Sequence, residues 1–443
     1  MITRSLFRVS FTLVPILLVG CMPGGDDDYF TEEEMETIRT FGPIPDPPPS
    51  PTNKYADNPA VAAFGQRLFF EKGYAKALTV AGSGLGNVGE TGKVSCASCH
   101  DPKQFYSDSR SRPGNTSLGV RWTERNSPPL VNIAYYTWGG WGGKDDAIWN
   151  QGANGSESGV NFSGNRLHFA HLIYRKYRAD YDALFDVPLD PALDPTHPDA
   201  ARFPENGRPK ASGAADGPWE MMAANDRDII NRILANTGKA FEAYERLLIS
   251  KNAPIDRYIA GDESALTAAQ KRGLKLFMGK AACNDCHYGP TFTDQGFHNT
   301  GVRQSWSPTA SATDTGRYQD VARTLGGSFN GAGKYSDNVE LGAAKIAGLE
   351  QTEDDKGKFR TKSLRHVAQT GPYMHNGAFA TLADVVEFYN RGGDDDGYEG
   401  TKSPMMLPLL LNEQEKADLV AFLEALTGEP PPDELGVDTA IHD

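Results

Sequence analysis

Apolar residues recur at helical spacing along much of this chain. Over residues 225–250, Ile229, Ile230, Ile233, Leu234, Phe241, Tyr244, Leu247 and Leu248 share one face, which predicts a long amphipathic helix. A second is predicted where Thr381 and Asp384 form a capping pair ahead of Leu382, Val385, Val386 and Tyr389. A third runs over 412–426. Asn412 opens it, Leu419, Phe422, Leu423 and Leu426 form its buried stripe, and Gly428 stops it. Two further stretches resemble each other: Ala63 to Phe69 and Lys271 to Phe277 share Gly-x-x-Leu-Phe, and Thr267 with Gln270 fits a capping box before the second. The folded part therefore reads as a duplication, a helix, a turn and further helices made twice. Strand patterns are sparse, and residues 186–220 are Pro-rich with no helical period. The expected fold class is mainly α, as two packed domains with long irregular loops.

The ends of the chain read differently. Arg4 and Arg8 precede an apolar run from Phe11 to Val19 that is too short to span a bilayer, which marks an export signal over 1–20. It ends Leu18-Val19-Gly20-Cys21, which resembles a bacterial lipobox, so Cys21 is the expected site of a lipid anchor; in an ordinary signal peptide it would be incidental. Met22 rather than an aspartate follows, which points to the outer membrane, on the periplasm-facing side of a bacterial envelope. No other apolar run is long enough to cross a bilayer. Residues 21–54 combine acidic runs (Asp26 to Asp28, Glu32 to Glu34) with a Pro-rich stretch, Pro43 to Pro51, and read as an extended tether. The two domains are expected over 55–255 and 256–430, with a tail over 431–443. The net charge of −14 argues against nucleic acid as a partner and is compatible with a basic electron donor.

The chemistry lies in Cys96-Ala97-Ser98-Cys99-His100 and again in Cys283-Asn284-Asp285-Cys286-His287. Each reads Cys-x-x-Cys-His, the attachment pattern of a c-type haem. Two thiols three positions apart can add to the two vinyl groups, and the following histidine supplies a nitrogen to the iron. The competing reading is a zinc or redox Cys-x-x-Cys, but each cluster offers only two thiols and one histidine. Four of the five cysteines fall in these motifs and the fifth is Cys21, so no pair is left for a structural disulfide. Gly84-Leu85-Gly86-Asn87-Val88-Gly89 formally matches a dinucleotide fingerprint. No strand precedes it and no helix opens from it, so it reads as a loop before the first motif.

These two motifs, together with Gly371-Pro372-Tyr373-Met374-His375-Asn376-Gly377 and Leu382 to Asn390, resemble the bacterial dihaem cytochrome c peroxidase/MauG family from about Asn58 to Gly428. The resemblance implies two cytochrome c-like domains, a calcium ion near their interface, peroxide reacting at the N-terminal haem and electron transfer at the C-terminal one. In the reductively activated peroxidases a second histidine blocks the first iron. The matching position here falls near Leu118, and no histidine occurs between His100 and His168, so the first haem is expected to be open. Fourteen residues after His375 the family places a methionine or, in MauG, a tyrosine; here it is Tyr389. Helical spacing alone would make Tyr389 a core aromatic, and Met374, Met405 and Met406 are rival ligands. Trp141 matches a tryptophan between the haems, though it could simply fill core volume as Trp138 and Trp149 are expected to do. Gln151 matches a distal-pocket glutamine. Asn126, Thr370 and Pro372 match the calcium ligands, and Arg365 is the expected propionate partner.

One position departs from the family. Its catalytic glutamate falls on Asn161, and an amide cannot take a proton from one peroxide oxygen and deliver it to the other. Glu157, four residues earlier, is the candidate substitute, against a plain solvated surface role. His168 and His171 share a helical face without a carboxylate at metal spacing. His298 and His366 either support haem propionates or pack, and the acidic stretch Asp394 to Asp396 reads as a solvated loop. The expected function is reduction of hydrogen peroxide, with a small c-type cytochrome, a cupredoxin or an oxidisable protein as reductant. The alternative is a dihaem electron carrier or degenerate member, motivated by Asn161.

Overall fold

The computed structural model describes residues 29–112, 115–304 and 313–442. The expected signal sequence, Cys21 and Asp26 to Asp28 lie outside the described residues. In chain order the helices are α1 (Glu32–Arg39), α2 (Pro59–Phe70), α3 (Ile148–Ser156), α4 (Arg166–Leu184), α5 (Ala224–Glu245), α6 (Pro254–Ile259), α7 (Ala268–Met278), α8 (Arg317–Gly326), α9 (Val339–Ile346), α10 (Leu382–Asn390) and α11 (Glu413–Glu424). Strand structure among the described residues is two short antiparallel pairs. β1 (Thr116–Leu118) pairs with β2 (Trp122–Thr123), and β3 (Phe297–His298) pairs with β4 (Phe359–Arg360). The mainly helical architecture agrees with the periodicity. No described helix is long and apolar enough to cross a membrane.

Two helix crossings organise two apolar cores, and each crossing is closed by a glycine. A Cβ added to Gly65 on α2 would overlap the Ala240 carbonyl on α5 and press on Tyr244. A Cβ added to Gly273 on α7 would overlap the Asp418 carbonyl on α11 and press on Phe422. Only a residue without a side chain allows this approach. The aromatic rings beside the crossings match as well: Phe69 and Tyr244 are 5.1 Å apart, and so are Phe277 and Phe422. A third ring completes each set, Tyr106 at 6.0 Å from Phe69 and Phe292 at 5.9 Å from Phe277, both on left-handed backbone. The duplication seen in Gly-x-x-Leu-Phe therefore extends to the tertiary contacts.

The caps at Thr267, Thr381 and Asn412 form as expected, and at Asn412 the Glu415 side chain completes a capping box that the sequence reading did not include. α5 stops at Glu245, short of residue 250; Leu247 is exposed while Leu248 returns to the core. In the Pro-rich insertion, His171 bridges the carbonyls of Leu193 and Phe203, which pins the insertion to α4. His168 interacts with the Gly73 carbonyl. Both histidines thus have structural partners. Trp149 is fully buried as expected, but Trp138 is half-buried, between Arg317 and Lys345.

The stretch 21–54 differs from an extended tether over its described part. Thr31 and Glu34 cap α1, and Phe30, Ile38 and Phe41 join the second core. The Pro45 carbonyl accepts from the Tyr135 hydroxyl and the Pro48 carbonyl from Arg246. Composition misled here because three well-spaced apolar residues outweigh the acidic run Glu32 to Glu34 between them. The tail also docks: Gln66 donates to the carbonyls of Glu434 and Val437, and Tyr244 to that of Leu435.

The crossings generate the first prediction. Gly65→Val or Gly273→Val forces the helices apart and is expected to lower stability by about 3 kcal/mol or more. Gly155→Ala, where an added Cβ meets nothing within 4 Å, is expected to leave stability unchanged or slightly raised. Thermal unfolding of the three variants checks the contrast.

Candidate haem sites

Each Cys-x-x-Cys-His motif follows the first helix of its crossing and forms a short 3-10 turn, Cys96–Ser98 and Cys283–Asp285. The thiols of Cys96, Cys99 and Cys283 are pushed up to about 12 by burial, and that of Cys286 is raised for the same reason, so all four are neutral and unbridged. His100 Nδ1 lies 3.1 Å from the Tyr106 carbonyl, and His287 Nδ1 lies 2.9 Å from that of Phe292. A carbonyl only accepts, so Nδ1 carries the hydrogen and Nε2 keeps its lone pair for a metal. Burial lowers both imidazoles and favours their neutral, ligating form. The acceptors Tyr106 and Phe292 belong to the aromatic sets at the crossings, so core packing fixes the orientation of each ligand.

In front of the first motif is a cavity of about 780 Å³ lined by Cys96, Cys99 and His100. Among its described lining residues His100 is the only histidine. Leu118, near the position expected for a blocking histidine, is buried in β1. Trp141, Gln151, Asn126 and Asn161 all reach this cavity, so four positions far apart in sequence meet there. Gln151 Oε1 accepts from the Gly140 amide at 3.2 Å. Glu157 does not line the cavity. Its carboxylate is taken by Arg166, through Nε at 2.9 Å, Nη2 and the backbone N–H at 3.0 Å, and Arg166 lies over Trp219. The expectation that Glu157 substitutes for the missing glutamate is thereby corrected, because both its oxygens serve a buried ion pair. The surface alternative fails for the same reason.

Trp141 stands at the seam between the two halves. Its indole donates to the Asn126 carbonyl at 2.7 Å, and its own carbonyl accepts from Arg360 on β4. His375 lies 6.3 Å from the indole and stacks on Phe359 at 3.7 Å. Arg125 bridges to the second half through Asp314 and Asp320 at 2.6–2.7 Å. Burial opposes ionisation of Asp314, but Arg125 overrides it and pulls its carboxyl down to about 2.

Tyr389, half-buried on α10, has its phenol pushed up by burial and, to a smaller degree, by Cys283 and Cys286. Met405 is exposed. Cys286, Asp294 and His298 lie within 4.8 Å of one another, but His298 already pairs with Asp294 at 2.7 Å, and among the described residues no fourth ligand completes a zinc site. His366 is buried against Phe105. In the stretch Asp394 to Asp396, Asp394 pairs with Arg391, and Asp396 with Arg303.

Arg365 differs from its expected propionate role. Its three nitrogens donate to Asp256, Phe41 and Pro290 within the buried core, so it clamps the N-terminal segment to the second half. Arg360 and Lys362, not singled out from sequence, show what a propionate site requires. Arg360 is buried with Nε unpartnered, and Lys362 lies 4.6 Å over the Trp141 ring; neither has a carboxylate partner among the described residues. Burial lowers both, Arg360 to about 10. Arg360 Nη1 donates to the Trp138 carbonyl and Lys362 Nζ to that of Gly140, so a buried and a half-buried cation meet carbonyls but no anion, which fits a site that receives carboxylates. Their i, i+2 spacing at and just beyond β4 is the signal that could have found them. At the expected calcium site, Asn126 donates through Nδ2 to the Pro372 carbonyl at 2.8 Å, while its Oδ1 is buried and unpartnered. That orphan oxygen fits a hard cation, with the Thr370 carbonyl close in sequence.

The cavity also holds an acid that sequence reading missed. Glu245, 8% exposed at its apolar end with Phe69, Tyr74 and Val94, is pushed up to about 8 by burial and by Glu242. The native state therefore keeps this proton from about pH 4.5 to 8 while the unfolded chain has lost it, so stability falls as pH rises through that window. Glu245→Gln removes the penalty and is expected to exceed wild type at pH 8 by up to about 4 kcal/mol, the gap shrinking towards pH 4.5. Denaturant unfolding at pH 5 and pH 8 measures it; an equal gap at both would rule out the buried acid.

Comparison with known proteins agrees with this geometry. The sequence model of a family described as di-haem cytochrome c peroxidase matches residues 59–264. The chain is 32% identical to cytochrome-c peroxidase IdrP2 of Denitromonas iodatirespirans, over 85% of this chain and 83% of that protein. It is 28% identical to the methylamine utilization protein MauG of Methylorubrum extorquens, covering 84% and 79%. Among solved structures, a MauG-like protein associated with microbial copper homeostasis superposes with a TM-score of 0.60 at 24% identity, over 89% of this chain and 98% of that one. The diheme peroxidase BthA of Burkholderia thailandensis gives 0.57 at 22%, over 84% and 87%.

Proposed function

The chain belongs to the di-haem cytochrome c peroxidase/MauG family, and on that premise we propose that it reduces hydrogen peroxide at the haem attached to Cys96, Cys99 and His100. When bound, the two haems supply redox chemistry, the first towards peroxide and the second as a relay for electrons. The reductant is a small c-type cytochrome, a cupredoxin or an oxidisable protein. The observation that carries this reading is the cavity at His100, whose described lining offers no second histidine to block a metal. Gln151 orients peroxide through its amide. Trp141 bridges the two halves, held by Asn126 and Arg360. Arg360 and Lys362 hold propionates. Asn126 Oδ1, with the carbonyls of Thr370 and Pro372, holds calcium; a carbonyl has two lone pairs, so Pro372 can serve both the ion and the Asn126 amide. The chain acts outside the inner membrane, exported through its signal and anchored at Cys21 to the outer membrane.

A second reading, an electron carrier without peroxidase turnover, is favoured by Asn161 and by the commitment of Glu157 to Arg166. Rapid mixing of the ferric holoprotein with one equivalent of hydrogen peroxide separates the two. Prompt bleaching of the Soret band without reductant is expected. A response only after one haem is reduced would mean a hidden ligand, and no response in either state would leave the electron carrier.

Tyr389 carries a separate prediction. A phenolate stabilises the ferric state, so Tyr389→Phe is expected to raise the midpoint potential of one haem only and to change its ferric absorption. An unchanged potential and spectrum would give the ligand role to Met374 or Met406.

A further inference from the structure

We propose that Asp145 is the carboxyl that exchanges protons with peroxide in the first cavity, the task that Asn161 cannot perform. This rests on the open first haem proposed above. Asp145 lies in the turn after Trp141, 1% exposed, and lines the same cavity as His100, Gln151 and Asn161. The Gly139 amide donates to the Asp145 carbonyl at 2.7 Å, closing the turn. Asp145 and Gln151 flank the Gly139 position from two sides. A Cβ added there would sit 2.7 Å from Gln151 Oε1 and 2.9 Å from Asp145 Cβ.

The two carboxyl oxygens are treated unequally. Oδ1 accepts from Asn154 Nδ2 at 2.9 Å, while Oδ2 is buried without a hydrogen-bond partner. An unpartnered buried carboxyl oxygen is unfavourable unless it holds a proton or awaits a donor. Burial raises the Asp145 carboxyl, and Asp320 and Asp146 add to it; Lys144, with Nζ at 3.9 Å, and Asn154 oppose it. Asp320, on α8, is paired with Arg125 and Arg323, and Asp146 is turned to the Gly331 amide and Asn150. The other carboxylates of the cavity suit the task less. Glu124 is exposed, and Glu245 lies at the apolar end near Cys96.

The step balances simply. One peroxide oxygen gives its proton to Oδ2. Asp145 passes that proton to the other oxygen as the O–O bond breaks, and this oxygen leaves as water. The remaining oxygen is reduced by two electrons from the redox donor and takes two protons from solvent. Each round returns Asp145 to its starting state.

Cyanide tests the acid without turnover. Hydrogen cyanide is neutral near pH 7 and must lose its proton to bind ferric haem as the anion, so a proton acceptor in the cavity sets its association rate. In ferric holoprotein, Asp145→Asn is expected to slow association roughly 100-fold or more, and Asp145→Glu to restore most of it. The resting spectrum and the potential of the second haem should not change. Wild-type kinetics in Asp145→Asn would overturn the proposal and leave the open haem standing. Failure of wild type to bind cyanide at all would overturn the open haem and the proposal with it. Infrared difference spectra on wild type guard against a variant that does not fold: cyanide binding should create the carbonyl band of a newly protonated carboxyl, and its absence would also overturn the proposal.

Discussion

The carbonyl of Ala240 occupies the space where a side chain on residue 65 would begin, and the carbonyl of Asp418 does the same at residue 273. At each contact two helices meet with no side chain between them. The aromatic residues one turn along then fall into register, Phe69 with Tyr244 and Phe277 with Phe422, and each pair receives a third ring from the loop after the haem motif. The carbonyl of that third residue orients the motif histidine. A clearance set by backbone atoms is thus transmitted through three aromatic rings to the nitrogen offered to iron. Rotation of either helix would turn the ligand away.

The two halves reuse this frame with different chemistry. Matching Ala240 with Asp418 and Tyr244 with Phe422 places Glu242 opposite Val420 and Glu245 opposite Leu423. The first half thus buries two acids where the second has aliphatic side chains, and burial raises both. Stability is given up in the first half, where acids are buried, while the second half keeps an apolar helix face.

The seam between the halves is built from groups each half leaves unsatisfied. Arg125 of the first half finds Asp314 and Asp320 in the second. The Asn126 amide and side chain reach the carbonyls of His375 and Pro372. The Trp141 carbonyl accepts a hydrogen bond from Arg360 on β4, two residues before Lys362. The N-terminal segment crosses the seam as well, with Phe41 stacked on Phe292 and its carbonyl held by Arg365. The tryptophan and two cations without a carboxylate partner therefore share one interface, at the edge of the first cavity.

The sequence alone determined whatever depends on local order. The haem motifs need two thiols and a histidine at fixed spacing, and that pattern survives any fold. Helix caps such as Thr381 with Asp384 are settled within four residues, and Gly-x-x-Leu-Phe announced the duplication before any contact was known. Only the tertiary structure decided where charges go. It turned Glu157 onto Arg166, gave Arg365 to Asp256, left one buried oxygen of Asp145 without a hydrogen bond, and left Arg360 and Lys362 without a carboxylate partner among the described residues. It also folded an acidic, Pro-rich stretch onto the second core through Phe30, Ile38 and Phe41. The reason is physical. A carboxylate or guanidinium takes its role from partners that lie hundreds of residues away in sequence, and burial, which no single residue controls, sets the strength of each pairing.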